Sequence, residues 1–355
     1  MILVSGSLAY DRIMNFHGHF SDHIDPKKLH VLSVSFMAHQ LKENFGGTAG
    51  NIAYNLALLG ESPRIISAAG TDFAPYKKWL GKHGVDLSWV QTIKNDPCAS
   101  AYIMTDEADC QITAFYPGAM RKKFPISNFQ FPIILKKIKL AIVAPGNIED
   151  MRALPKLYRK HKVPFIFDPG QAIPALSGDD LRNGINGAKI FISNDYELAM
   201  VLKKTEWNKN ELLKRVEVLV TTLGEHGSVI EVNTKWHNAP QPPLNSRGGD
   251  ANDPPLKIRP MARSARLIEG GAGGVMSFQI PSAKPKNTSD PTGAGDAYRA
   301  GLIKGLLMGL PYDKIGRLAA VVSVYTVEKY GTQTHHFTWP QILKRYKENF
   351  KENLV

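Results

Sequence analysis

Cysteine is nearly absent: Cys98 and Cys110 are the only two in 355 residues. Two thiols cannot build a disulfide framework or a four-cysteine zinc site. In the reducing cytoplasm expected for this chain, both read as free. No apolar run reaches the roughly 20 residues that a membrane-spanning helix needs, so no membrane association is expected. The opening MILVSGSLAYDRIM has no basic stretch ahead of an apolar core. It reads as a first buried strand, not as a signal peptide. The eleven histidines keep no HExxH or CxxC company, and His335-His336 is a lone pair. Internal repeats are missing too. At 43% hydrophobic and 21% charged, the composition is that of an ordinary globular enzyme.

Acidic residues are outnumbered, and the formal net charge is +12. The excess is scattered in short runs: Arg121-Lys122-Lys123, Lys136-Lys137 with Lys139, and the tail from Lys344 to Lys351. The first two hold no aromatic that could stack a base, and solvated faces explain such dispersed runs, so a nucleic acid polymer is not the expected partner. A small anionic nucleotide accounts for the charge equally well.

What is present is an alternation of short apolar runs and helical patterns. Ile2-Ser5, Arg64-Ala68, Leu140-Ala144, Pro164-Asp168, Ala188-Ser193, Val218-Thr222 and Ser228-Val232 are strand candidates. Near-continuous apolar runs of this length suit strands buried on both faces. Ile52, Leu56 and Leu59, and again Ala300, Ile303, Leu307 and Leu310, repeat at helical spacing. The pattern predicts one α/β domain with a mostly parallel sheet and helices on both sides. Residues 10–45 and 97–120 alternate more weakly and are assigned to a small separate sheet. Residues 234–272 hold Pro240, Pro242, Pro243, Pro254, Pro255 and Pro260 with two glycine pairs, and read as a surface insertion.

Three motifs can carry chemistry. Asp290-Pro291-Thr292-Gly293-Ala294-Gly295-Asp296 runs straight into a helix. Its glycines permit a tight turn, and a helix N-terminus offers unpaired N–H groups and partial positive charge, a site for phosphate. Asp296 stands where a carboxylate can take a proton from an attacking hydroxyl. An isolated Asp there is more often a helix cap, but two glycines, a second Asp and Thr292 close by argue otherwise. Gly46-Gly47-Thr48-Ala49-Gly50-Asn51 opens a second helix, and Asn51 can hold adjacent hydroxyls. Asn194-Asp195-Tyr196-Glu197 follows a strand; its Asn and Glu share a face and suit either a capping turn or Mg²⁺ held through water. Asp168-Pro169-Gly170-Gln171 and Val220-Thr221-Thr222-Leu223-Gly224 close further strands on the crevice side. There is no GxxxxGK[ST] P-loop, and Tyr298 stands where a dinucleotide fingerprint requires glycine.

In this order the three motifs resemble the ribokinase (PfkB-type) family of carbohydrate and nucleoside kinases, over residues 1 to about 335. The chain is most similar to bacterial adenosine kinases, through Ser5-Gly6-Ser7 with Asp11, Phe115 to Met120, and Gly331-Thr332-Gln333. The 234–272 insertion departs from that pattern. The resemblance implies a ribokinase-like three-layer α/β/α fold whose β-sheet lid comes from 10–45 and 97–120. It implies Asp296 as base, with the loop Gly293, Ala294 and Gly295 stabilising the transferred phosphoryl group. It implies Ser7, Asp11, Gly46, Gly47 and Asn51 around the ribose, and Tyr102, Phe115, Met120 and Gln171 around the nucleobase. ATP would meet Asn194, Thr222, Gly224 and Gly227, with Glu197 at Mg²⁺ and Asp290 near an activating K⁺. The implied reaction is ATP-dependent phosphorylation of the 5′-hydroxyl of adenosine. The alternatives are a sugar such as ribose, or inosine, guanosine or cytidine. A non-catalytic nucleotide-binding protein is the remaining reading, and it would not need Asp296. The implied assembly is a monomer or a lid-mediated homodimer.

Overall fold

The computed structural model describes residues 1–108, 110–125, 135–237, 266–268 and 274–355. Fourteen strands lie in these residues: β1 Ile2–Ser5, β2 Ala9–Phe16, β3 Ala38–Gly46, β4 Pro63–Ala69, β5 Val90–Thr92, β6 Ala99–Thr105, β7 Gln111–Tyr116, β8 Leu140–Val143, β9 Phe165–Phe167, β10 Ile190–Asn194, β11 Val218–Thr222, β12 Ser228–Asn233, β13 Arg266–Ile268 and β14 Val275–Ile280. The α-helices are α1 Thr48–Leu58, α2 Ala74–Lys82, α3 Ile148–Lys160, α4 Gly178–Ile185, α5 Asp195–Thr205, α6 Lys209–Leu213, α7 Thr234–His237, α8 Ala294–Leu307, α9 Tyr312–Val327 and α10 Trp339–Phe350.

The large sheet has ten strands in the order β13-β14-β12-β11-β10-β9-β8-β1-β4-β5. From β5 to β11 neighbouring strands are parallel; β12, β14 and β13 extend one edge antiparallel. Apart from the edge strand β5, the parallel part is buried on both faces, which is why its strands are continuous apolar runs. In β1, Leu3 enters one core layer while Ile2 and Val4 enter the other; in β10, Phe191 opposes Ile190 and Ile192. The period of two is preserved, but both faces meet helices. Residues of α1, α2, α8, α9 and α10 form one layer, and those of α3, α4, α5 and α6 the other. The three-layer α/β/α arrangement expected from the sequence is present. Among the described residues, no helix is long and apolar enough to cross a membrane.

The second sheet has four strands, β3-β2-β6-β7, drawn from the two weakly patterned stretches. Its register decides which side chains share a face. Asp11 stands opposite Asn44 and Ala101, and Ala101 opposite Phe115. Arg12 stands opposite Glu43 and Tyr102, on the other face. Most of the 234–272 insertion lies outside the described residues. Of it, the structure gives α7 and the edge strand β13, which pairs with β14.

Candidate active site

Parallel strands end at one edge of their sheet, so the loops after β1, β8, β9, β10 and β11 converge there. A pocket of about 230 Å³ forms among them, lined by Thr48, Pro145, Asp168, Gln171, Glu197, Thr222, Gly293, Gly295, Asp296 and Arg299 among others. Asp290 shapes the loop beneath it. One carboxylate oxygen accepts the Thr292 N–H at 2.9 Å and the other the Gly331 N–H at 3.0 Å. Gly293 then turns with φ +80°, a conformation that favours glycine, and begins α8 with no side chain capping it. Asp296, in the first turn of α8, is left to face the pocket.

Burial raises the Asp296 carboxyl to about 7. Arg299 and Asn51 pull it back down, and Asp168 and Asp11 push it up. Asn51, in the first turn of α1, donates from Nδ2 to Asp296 Oδ2 at 2.9 Å. Arg299, one turn beyond Asp296, grips Asp168 with two nitrogens, Nη2 meeting Oδ1 at 2.8 Å, while Nη1 donates to the Gly295 carbonyl at 3.0 Å. A carboxyl poised near neutrality beside a fixed cation is suited to general-base work at ordinary pH.

On the lid side, Asp11 reaches over Gly46: a Cβ at Gly46 would lie 2.3 Å from Asp11 Oδ2. Gly47 has φ +85°, and a Cβ there would meet the Ser7 carbonyl at 2.6 Å. Gly47 is therefore required by the backbone, whereas a side chain at Gly46 would displace the Asp11 carboxylate. Asp11 is itself pushed up to about 6, by burial and then by Asp290. Phe115 shares its face and is 53% exposed, available to a ligand.

Three lid-side and loop expectations need correction. Tyr102 points to the opposite face, where its hydroxyl accepts from Arg12 Nη1 at 3.0 Å and Arg12 lies over its ring. Strand alternation puts Ala101 and Ile103, not Tyr102, beside Asp11. Ser7 is buried, and its Oγ accepts the Thr48 N–H at 3.0 Å, so it ties the β1 loop to α1 and does not face the pocket. Met120 borders a separate small cavity with Gly6, Ser67, Gly146 and Asn147, and its carbonyl accepts from Asn147.

On the other side of Asp296 a larger cavity of about 460 Å³ opens, within the usual range for small-molecule sites. Thr222, Gly224 and Gly227 line one wall, and Ala283, Ala320, Val324 and Val327 make it largely apolar. Thr222 and Gly295 border both cavities, so the two meet at the start of α8. Asn194 and Glu197 form a reciprocal capping box at α5. Asn194 Oδ1 accepts the Glu197 N–H at 2.7 Å, and Glu197 Oε2 accepts the Asn194 N–H at 2.9 Å. Burial raises the Glu197 carboxyl. Its Oε1 is not used by the cap, and among the described residues no group of three or more acidic, His or Cys side chains could hold a metal. That donor set fits Mg²⁺ carried by nucleotide phosphates and water, and does not fit a protein cage.

Two participants were not assigned a role from sequence. Arg299 is a buried cation one turn after Asp296, and that position is the signal that could have marked it. Gln333 was noted only as part of a shared stretch; it is 3% exposed and donates to Asn51 Oδ1 at 2.9 Å.

With this geometry in hand, similarity to known proteins is informative. The pfkB family carbohydrate kinase model matches residues 3–246 and 262–339. The nucleoside kinase of Burkholderia thailandensis, solved in complex with inosine, is 33% identical, with 99% of each chain covered and a TM-score of 0.78. The same kinase with ADP and inosine gives 34% identity, a TM-score of 0.75, and coverage of 99% and 97%. The nucleoside kinase of Methanocaldococcus jannaschii is 26% identical over 322 residues, 89% of this chain and 90% of that protein.

Proposed function

The chain belongs to the pfkB family of carbohydrate kinases, and from that premise we propose that it transfers the γ-phosphoryl group of ATP to the 5′-hydroxyl of adenosine. The observation that carries this reading is the position of Asp296, lining a polar pocket that shares Thr222 and Gly295 with a 460 Å³ apolar-walled cavity, within reach of the charge of Asp11 on the lid. Adenine and ribose of ATP occupy the larger cavity, against Thr222, Gly224 and Gly227. The acceptor nucleoside lies under the lid, its ribose hydroxyls on Asp11 and its base along Ala101, Ile103 and Phe115. A bare sugar has no use for that apolar strip, whereas a purine does.

In the reaction, Asp296 takes the proton of the 5′-hydroxyl. The oxygen forms a bond to the γ-phosphorus as the bond to the β–γ bridging oxygen breaks, and ADP leaves. The uncapped start of α8 presents N–H groups of Gly293 to Asp296 to the charge on the transferring group. Arg299, held by Asp168, keeps a fixed positive charge beside it. Glu197 would hold a nucleotide-borne Mg²⁺ through water, and that ion would supply neutralisation of the phosphates. Lid strands over the ribose exclude water, so the nucleotide is not simply hydrolysed. K⁺ activation is part of the same reading; Asp290 already spends both carboxylate oxygens on the turn, so its role there is to shape the loop.

Inosine is the second acceptor to weigh, because the similar kinase of Burkholderia thailandensis was solved with it. The deciding experiment is ADP release from ATP with adenosine, inosine, guanosine, cytidine and ribose in parallel. The highest kcat/KM for adenosine supports the reading, inosine in first place shifts the base assignment, and ribose in first place overturns it. For the assembly we infer a homodimer through the lid. On the face away from Asp11, Leu41, Met14, Met104 and Ile112 stand in one cross-strand row, with Leu41 64% and Ile112 45% exposed. Sedimentation of wild type against Leu41→Lys tests it: a dimer lost in the variant is expected, and a wild-type monomer refutes it.

A further inference from the structure

Gln333 belongs to the loop before α10, yet it sits against the start of α1 and the middle of α2. Its Oε1 accepts from Trp79 Nε1 at 3.1 Å. Its Nε2 donates to Asn51 Oδ1 at 2.9 Å and to the Tyr76 hydroxyl at 2.5 Å. Asn51, Tyr76 and Gln333 are all at least nine-tenths buried. We propose that Gln333 is a positioning residue for the base: it fixes the Asn51 amide so that an N–H, and not a carbonyl, meets Asp296. This rests on the kinase reading with Asp296 as base.

An amide's oxygen and nitrogen have nearly the same shape, so the surrounding donors and acceptors decide which way it faces. Two independent groups decide it here. The Trp79 indole N–H can only donate, so the Gln333 atom facing it must be the oxygen. The Gly46 carbonyl can only accept, and Tyr76 donates its hydroxyl proton to it at 2.8 Å. Tyr76 must then accept from Gln333, which again places the nitrogen on that side. The second hydrogen of Nε2 goes to Asn51 Oδ1, and Asn51 is thereby obliged to turn Nδ2 toward Asp296. The chain from Trp79 through Gln333 and Asn51 to the carboxylate runs one way, each group donating to the next. A reversed Asn51 would set its carbonyl against Asp296 Oδ2.

The backbone is shaped for this contact. A Cβ at Gly50 would fall 1.8 Å from the Tyr76 hydroxyl oxygen and 3.2 Å from Gln333 Nε2. Only glycine at that turn of α1 lets the three side chains close up. The donated N–H favours the ionised carboxylate, working with Arg299 against burial, Asp168 and Asp11. Tyr76 from α2, Tyr10 from β2, Tyr54 from α1, His83 beside Trp79 and Glu197 from α5 are the other titratable groups near this cluster, and the substitutions below leave all of these in place.

The test compares Gln333→Met and Trp79→Phe with wild type and with Leu181→Ala, a core truncation in the opposite helix layer. Each is followed by kcat, KM and the pH profile of kcat/KM, with a thermal melt as check on folding. Gln333→Met is expected to lower kcat about 10-fold and move the acidic limb upward by about one pH unit, with KM for ATP unchanged. Trp79→Phe should move both in the same direction, with kcat about three-fold lower. Leu181→Ala should lower Tm without moving the limb. A folded Gln333→Met with the wild-type limb and kcat overturns the proposal. Should that variant fail to fold, a wild-type limb in Trp79→Phe overturns it instead. Asp296→Asn separates the two levels: normal turnover in that variant sinks the assignment of Asp296 as base on which this proposal rests, whereas its inactivity alongside an unaffected Gln333→Met sinks only the role of Gln333.

Discussion

The starts of α5 and α8 look alike as sequence and behave differently as structure. Each starts at the same sheet edge, α5 directly after β10 and α8 after a loop, and each places a carboxylate in the first helical turn. At α5 the polar groups are consumed by the helix itself: Asn194 and Glu197 satisfy each other's N–H groups. At α8 the cap is Gly293, no side chain caps the helix, and Asp296 points instead at Asn51 and the pocket. A helix start whose polar groups are spent on capping is explained by stability alone. One that leaves its N–H groups uncapped and turns its carboxylate to a pocket keeps both free to meet a ligand.

The sharpest way to break that contrast is Asp296→Asn. The substitution keeps the shape and removes the proton affinity. We expect kcat to fall at least about 100-fold, the usual scale for losing a general base, with nucleoside binding little changed. Asn194→Ala at the other helix should leave kcat within about three-fold by the same argument, since a cap acts on the fold. Comparable losses in both would show that the two helix starts do not differ in kind.

Asp11 extends the contrast to the lid, since its side chain has no hydrogen-bond partner among the described residues. A ribose supplies one. Losing a charge-assisted bond to a buried partner costs about 1.5–3 kcal/mol, roughly 10- to 150-fold in affinity. Calorimetric titration of Asp11→Ala should show that loss for adenosine and an almost unchanged Kd for ATP. Equal weakening of both would remove Asp11 from the acceptor site.

How much of this was legible in the sequence follows from where each signal resides. The large sheet was legible because burial on both faces writes itself as continuous apolar runs. The loop 290–296 and the helix start 46–51 were legible because close backbone approach demands glycine. Tyr102 was misplaced because a strand's face depends on register to a single residue, and nothing local in Ala99–Thr105 reveals it. Arg299 and Gln333 were missed for another reason. Their partners, Asp168 and Asn51, are 131 and 282 residues away, and no spacing rule connects them. Asn194 and Glu197 were found, but an i, i+3 pair serves a capping box and a metal site equally, so spacing could not choose.

A milder test uses the tuning of Asp296 as a stability probe. Its native pKa of about 7 lies above the unfolded value, so between the two the native state holds its proton more tightly. Stability therefore declines as pH rises through that window and is lowest once the folded carboxyl is ionised. Asp296→Asn should then raise stability at alkaline pH, on the order of 1–2 kcal/mol after allowing for water that reaches the pocket, and lose that gain near the unfolded pKa. Urea titrations at the two pH extremes measure the difference. A gain that is the same at both would show that burial does not tune this carboxyl.

The smallest effect concerns the spent helix start, and it decides whether α5 is spent entirely. Asn194→Ala removes one half of the capping box and should cost about 1 kcal/mol, read as a lower urea midpoint at unchanged slope. Glu197→Gln is the more informative partner. A Gln at this position still accepts the Asn194 N–H through its carbonyl oxygen, as Gln does in capping boxes, so stability should change by only about half a kcal/mol. What it loses is the negative charge on the oxygen that the cap leaves over. If Glu197 serves the helix alone, the two variants differ in stability and not in their response to Mg²⁺. If Oε1 also steadies the water around nucleotide-borne Mg²⁺, Glu197→Gln should need about three- to ten-fold more Mg²⁺ for half-maximal rate, while Asn194→Ala keeps the wild-type requirement. The first outcome leaves the contrast between α5 and α8 complete. The second narrows it to Asn194, with a single carboxylate serving the helix through one oxygen and the nucleotide through the other.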